Sequence, residues 1–497
     1  MKPSALRFWI FVGLFFFLIL RVFAVSTIAP TYDEMVQNYM AYDISRLVRF
    51  PVYFDGQQYM GPIESYLMAP FFKWFGFTYI KARIYHGLLY VSFLTIYLWI
   101  IRKLFDRELA VYLWVLLAIV PFTVLYFTSI VGYEEILPLA VLSLFILLQI
   151  SYGTRQPKIL SFFLGVIFGL GFWANAIFVI WFPPLMSGLW MALPPGRKKG
   201  ALLAASAGIA AGVFPIWVHG FRTGEWLSLI VAGGSFAKSG DLTHFIYLFF
   251  ARMKYFLTSF AFSGGAGLEN HWIRYASIVP FAILAVSFGS FIYSFWRNWS
   301  DKSVQERILF LFMALPPFVL TVLYSSRQLS DDEGIRYFLP LMITYAFVTA
   351  WWIRQFRFVF WKWAVLGSMA AILSFTTLHS FAWVVGQRSE LIQISNFLRK
   401  RELRYGIAEM NLAYPLNALD EKYFVVTPVP HDARYEPILS LVREKGPSFL
   451  ILEKVNRRYR DKIEADAALS RASLYGYDIF YGSSKVLYKI LESEASM

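Results

Sequence analysis

The chain has 497 residues, of which 58% are hydrophobic and 16% charged, with a mean hydropathy of +0.53; ordinary soluble domains carry about 25% charge and about 45–50% apolar residues. That balance excludes soluble globular, disordered and fibrous classes, and a cysteine count of 0 excludes disulfides, thiolate metal sites and a cysteine nucleophile. The excess of 46 Lys+Arg over 32 Asp+Glu, a formal charge of +14, sits in short loops between apolar runs, so it points to an anionic membrane face and not to nucleic acid.

A span needs about 20 apolar residues. Eleven stretches qualify: 8 to 25, 84 to 101, 109 to 127, 136 to 152, 159 to 172, 175 to 193, 200 to 218, 276 to 296, 308 to 325, 336 to 353 and 364 to 384. Cationic residues of short loops stay cytoplasmic, and one parity places all of them there. Lys2 and Arg7 precede the first span; Arg102, Lys103 and Arg107, then Arg155 and Lys158, then Arg197, Lys198 and Lys199 follow the second, fourth and sixth. Arg297, Lys302 and Arg307 follow the eighth, and Arg354, Arg357 and Lys362 the tenth. The N-terminus is therefore expected in the cytoplasm of a multi-pass inner-membrane protein, with everything past the last span outside.

Three outer segments are too long to be connectors. In the first, Pro30-Thr31-Tyr32-Asp33-Glu34 is followed by Val36, Met40, Ile44 and Leu47 at helical spacing, which predicts an amphipathic helix in the membrane interface. A second such helix follows Gly61-Pro62, with Ile63, Leu67, Phe71 and Trp74 on one face. Asp33 and Glu34 then open an interfacial helix, whose N-terminus helps keep a carboxylate ionised and able to act as a base. Taken alone, the dipeptide is better explained by capping and a solvated first turn.

The second long segment, 219 to 275, holds Arg252, Lys254 and Arg274 around Gly264-Gly265-Ala266-Gly267, a stretch suited equally to a plain linker and to a loop closing on a phosphate. The third, 385 to 497, is richer in charge and alternates helix and strand, with strands expected at Phe424 to Val426 and Phe449 to Leu452 and a hairpin around Gly482-Ser483-Ser484. Two domains are thus expected, a membrane domain over 1–384 and an extracytoplasmic α/β domain over 385–497. The latter has no Gly-rich phosphate loop, no HExxH and no Ser-His-Asp spacing, so packing or acceptor recognition suits it better than catalysis.

The run Asp33-Glu34, then Tyr59-Met60-Gly61-Pro62-Ile63-Glu64-Ser65-Tyr66, Phe75-Gly76 and Ala82-Arg83, with the late Arg336-Tyr337-Phe338-Leu339-Pro340, resembles the GT-C glycosyltransferases. It is similar in particular to the branch (family 39-like) of protein O-mannosyltransferases, which act in protein glycosylation, and of the aminoarabinose transferases of lipid A and lipopolysaccharide. The resemblance covers most of residues 1 to 385. It implies a polytopic helical membrane fold, a polyprenyl-phosphate sugar donor, and an acidic catalytic group in the first outer loop. The acceptor would be a hydroxyl of a glycan, lipid or protein.

Inverting transfer from a sugar phosphate needs a base for the acceptor hydroxyl and cations for a phosphate that leaves as an anion. Asp33, beside Glu34, is the expected base. Arg83 and Arg336, at the outer ends of the second and tenth spans, are the expected phosphate ligands, because the planar guanidinium donates two parallel hydrogen bonds; Lys254 is a third. Snorkelling at the interface is the alternative for both arginines. Glu134 and Glu135 resemble the family's second acidic motif, suited to positioning the acceptor, and Tyr32, Tyr59, Glu64 and Tyr337 complete the expected pocket. A divalent metal is compatible with Asp33, Glu34, Glu134 and Glu135 but not required; some relatives carry an acidic ligand where this chain has Met60. His219, His244, His271 and His379 are scattered singly, and Trp173, Tyr32 and Tyr133 stand where a sugar could stack. The rival class is a multi-span lipid or solute transporter, which normally places ionisable residues at mid-membrane and shows repeated halves; neither feature is evident here.

Overall fold

In a computed structural model the chain forms a bundle of apolar helices, with two short helices and a small mixed sheet packed together at one end. The structure describes residues 19, 21–23, 25–57, 60–120, 122–128, 134–224, 278–325, 339–420, 423–429, 433–454, 463–464, 468–482 and 485–492. Most of the first span, most of the 219 to 275 segment with Lys254, Tyr59, Tyr133, and Arg336 with Tyr337 lie outside them.

Two helices follow the first span, α1 (Tyr32–Ser45) and α2 (Ile63–Phe75), and α3 (Tyr79–Leu104) enters the bundle. Next come α4 (Arg107–Ala118), α5 (Phe122–Phe127), α6 (Ile136–Ser151) and α7 (Pro157–Ala174), then a 3-10 turn over Ala176–Trp181 and α8 (Phe182–Ala192). They are followed by α9 (Pro195–Gly212), α10 (Phe214–Thr223), α11 (Ile278–Arg297), α12 (Val304–Ser325), α13 (Met342–Arg354) and α14 (Val359–Lys400). Among the described residues α3, α7 and α12 are long and apolar enough to cross a membrane, as is the pair α9 and α10, bent by 54° at the break before Pro215. Trp99, Phe221, Trp296, Phe360 and Trp361 are exposed on the surface of the bundle.

Small residues bring α7 and α9 into backbone contact, as membrane helices favour. A side chain at Gly165 would strike the Ala205 carbonyl, and one at Gly208 the Phe162 carbonyl.

The interfacial helices are where periodicity predicted them, and α2 presents two distinct faces. Its buried face is Ile63, Glu64, Ser65, Met68, Ala69 and Phe72, while Leu67 and Trp74 of the expected apolar stripe point outward. Leu67 and Trp74 are on the side that an interfacial helix can turn to lipid, while Ile63 of the same stripe is buried. Leu47 lies beyond the end of α1 with a left-handed φ of 60°.

Helix α14 continues to Lys400 and leads directly into the sheet, so no break falls at 384. The strands are β1 (Tyr405–Ala408), β2 (Val425–Pro428), β3 (Phe449–Glu453), β4 (Ser470–Leu474) and β5 (Tyr477–Tyr481), in the order β2-β1-β3-β5-β4. β1 is parallel to β2 and β3, and β5 is antiparallel to β3 and β4. The parallel strands are joined by helices α15 (Met410–Leu419) and α16 (Glu436–Lys445), as parallel crossovers require. The expected hairpin at Gly482 is displaced: the β4–β5 turn is Tyr475-Gly476, and helix α17 (Lys485–Glu492) follows instead.

Candidate active site

The site is built on the N-terminus of α1. Thr31 accepts from the Glu34 N–H at 3.3 Å, and Glu34 Oε2 accepts from the Thr31 N–H at 3.1 Å, a reciprocal cap. Arg83 grips the same carboxylate, Nε to Oε1 at 2.7 Å and Nη2 to Oε2 at 2.8 Å. Its remaining N–H groups go to the carbonyls of Val25 at 2.6 Å, Ile28 at 2.9 Å and Ala29 at 3.3 Å. A guanidinium has five donors, and here all are taken, in a pair with 0% side-chain exposure on both sides. The arrangement leaves Arg83 no donor for a phosphate; it clamps the turn that aims α1.

With Glu34 turned inward, Asp33 faces a small cleft that is open to solvent and lined also by Gln37, Gln57, Gly61, Glu64, Ser65 and Glu135. Gly61 is required there, because its N–H donates to the Trp173 carbonyl at 2.8 Å and a Cβ would lie 2.5 Å from that oxygen. Trp173 itself is a buried peg, its indole N–H bonded to the Val52 carbonyl at 2.8 Å, and is not a stacking platform.

The sheet domain reaches this cleft. Arg434 Nη1 donates to Asp33 Oδ1 at 2.7 Å, with the guanidinium 5.0 Å from the Tyr32 ring centre. Gly56, with a φ of 75°, leaves the space its stem occupies. Tyr32 stacks on Tyr414 at 4.8 Å and Tyr39 on Tyr435 at 4.7 Å, and the Tyr435 hydroxyl donates to Asp43 at 3.0 Å. Arg49 ties Asp43 to Asp55 at 2.7 and 2.9 Å. The two domains thus share an aromatic and ionic seam along α1.

Behind the cleft floor, Gln37 donates to Glu64 Oε2 at 2.5 Å. The other face of Glu64 meets His86 of α3, whose Nδ1 lies 3.5 Å from Glu64 Oε1 and 3.4 Å from Glu134 Oε2. All three residues are buried, and one donor atom from each lies within 4.8 Å of the others, near enough for one divalent cation. Burial pushes the Glu134 carboxyl up to about 7, against the pull of His86 and Arg21. Burial and the adjoining Glu64 hold Glu135 well above the ordinary carboxylate range.

Of the residues singled out from the sequence, Asp33, Glu64 and Glu135 converge on the cleft, Tyr32 lies beneath Arg434, and Glu134 sits just behind. Glu34 and Arg83 are paired below the surface. Sequence reasoning missed His86 and Arg434. An ionisable residue three positions past Arg83 on the same face of an apolar helix was the available signal for His86; nothing local distinguishes Arg434 from other surface arginines.

No protein-family model matches the sequence, and no curated protein does. Solved structures do. The apo structure of ArnT from Cupriavidus metallidurans superposes with a TM-score of 0.65 at 10% identity, covering 97% of this chain and 99% of that one. ArnT bound to undecaprenyl phosphate gives 0.62 at 9%, covering 96% and 98%. The Archaeoglobus fulgidus oligosaccharyltransferase overlaps more loosely, at 0.49 and 13% identity over 89% of this chain and 69% of that one. The chain therefore has the fold of ArnT, and the fold that the sequence resemblance implied is borne out at that level.

Proposed function

We propose that the protein is a membrane glycosyltransferase that moves a sugar from a polyprenyl-phosphate carrier to an acceptor hydroxyl on the extracytoplasmic face, with inversion. The observation that carries this reading is the position of Asp33: the one carboxylate of the α1 cap that faces the open cleft, in a chain with the ArnT fold from end to end. ArnT binds undecaprenyl phosphate in one of its structures.

Asp33 accepts the proton of the acceptor hydroxyl while that oxygen attacks the anomeric carbon. The bond from that carbon to the phosphate oxygen breaks, and the phosphate leaves as an anion. Arg434 is the cation nearest the base among the described residues, and we assign it to the donor phosphate, together with Arg336 and Lys254. Its ion pair with Asp33 is part-exposed, at 22% and 29%, so it contributes about 1 kcal/mol or less; an arriving phosphate can take the guanidinium and leave Asp33 free. Arg83 serves as a positioning residue through Glu34. The N-terminus is assigned to the cytoplasm and the α/β domain to the outer face, where its seam with α1 makes it one wall of the acceptor route.

The test is Asp33→Asn, which keeps size and loses basicity. Transfer of labelled sugar should fall by about a hundredfold or more, with the protein still folded. Unimpaired transfer in that variant removes Asp33 from the chemistry.

A further inference from the structure

We infer that Glu64, His86 and Glu134 form a binding site for one divalent transition-metal cation of the zinc or manganese kind, beneath the floor of the cleft. The inference stands whether or not the transferase reading does.

The first argument is charge. Glu64, Glu134 and Glu135 are all buried, with His86 and Arg21 as the basic groups that act on Glu134, and a buried carboxylate whose charge is not compensated costs several kcal/mol. Arg21 donates through Nη2 to the Thr128 carbonyl and hydroxyl and lies over the Tyr90 ring, and among the described residues its other nitrogens reach none of these carboxylates. The second is unmet bonding. Among the described residues both oxygens of Glu134, Oε1 of Glu64, Oε2 of Glu135 and both ring nitrogens of His86 have no hydrogen-bond partner, although buried polar groups are normally paired.

The third is spacing. A histidine donating to a carboxylate would close to about 2.7–2.9 Å, yet Nδ1 stands 3.5 and 3.4 Å from its two carboxylate neighbours. Ligands held about 2.1 Å from a tetrahedral centre lie about 3.4 Å apart. The imidazole nitrogen has, to each carboxylate, the separation of groups that share an ion, and the three donor atoms all lie within 4.8 Å of one another. Two carboxylates and an imidazole suit zinc or manganese, whereas calcium and magnesium prefer all-oxygen sets.

A cation there would join three separate elements: Glu64 of α2, His86 of α3 and Glu134 ahead of α6. Through Glu64 and Glu135, which line the cleft, its positive charge would also be felt by an anion bound above.

The experiment uses full-length protein in nanodiscs. Metal content is measured by mass spectrometry after purification without chelator, and EDTA-treated protein is titrated with Zn²⁺, Mn²⁺ and Mg²⁺ while its melting temperature is followed. The inference predicts about one bound equivalent of Zn²⁺ or Mn²⁺ and a melting temperature several degrees higher on loading, with little response to Mg²⁺. In His86→Ala and Glu134→Gln both the equivalent and the shift should vanish. In EDTA, Glu134→Gln should melt at or above the stripped wild type, because it removes an uncompensated buried charge; a fold defect would lower it instead. Stripped wild type that takes up neither cation, or variants that bind as wild type does, overturns the site.

Discussion

Arg83 and Glu34 form a two-pronged ion pair, 2.7 and 2.8 Å, with no solvent exposure on either side chain. Removing one partner of such a pair strands a buried charge and costs about 3–5 kcal/mol. Glu34→Gln and Arg83→Ala should therefore lower the unfolding midpoint sharply. Arg83→Lys, which keeps the charge and loses the fork, should lower it less and leave donor affinity of the folded protein unchanged. A normal midpoint with weakened donor binding would return Arg83 to the phosphate.

Arg434→Ala removes the guanidinium that reaches Asp33 from the sheet domain. A hydrogen bond to a charged group is worth about 1.5–3 kcal/mol, so apparent affinity for the polyprenyl-phosphate donor should drop about tenfold or more while the melting temperature stays near wild type. Unchanged affinity in a titration with the lipid donor contradicts the assignment.

Helices α7 and α9 meet backbone to backbone. Gly208→Ala pushes a methyl into the Phe162 carbonyl and should cost about 1–3 kcal/mol. Gly289→Ala, on α11, meets nothing within 4 Å and should cost nothing measurable. Equal melting temperatures for the two variants would mean that the close crossing is not what packs this pair.

What the sequence disclosed was local. Val36, Met40 and Ile44 recur at helical spacing and are buried along α1, and the strands at Val425–Pro428 and Phe449–Glu453 follow from short apolar runs. Asp33-Glu34 read as a pair of like residues, yet one caps and pairs inward while its neighbour faces the cleft, a division that depends on Arg83, 49 positions away from Glu34. The Asp33 and Arg434 contact spans 401 positions, and the meeting of His86 with Glu64 and Glu134 needs three elements to be in place. The α2 stripe was visible, but not that Ile63 would be buried while Leu67 and Trp74 are exposed, because periodicity reports that a helix has two faces and not where its neighbours end.

The central claim is that this fold binds a lipid-linked sugar above Asp33. The most direct measurement is binding of polyprenyl-phosphate sugars and of free polyprenyl phosphate to the protein in nanodiscs, with Asp33→Asn alongside. Saturable binding of at least one lipid-linked sugar, competed by free polyprenyl phosphate and retained in Asp33→Asn while transfer is lost, is the predicted result. Failure of wild-type protein to bind any polyprenyl-phosphate lipid would contradict the account and favour a transporter, to be followed by flux.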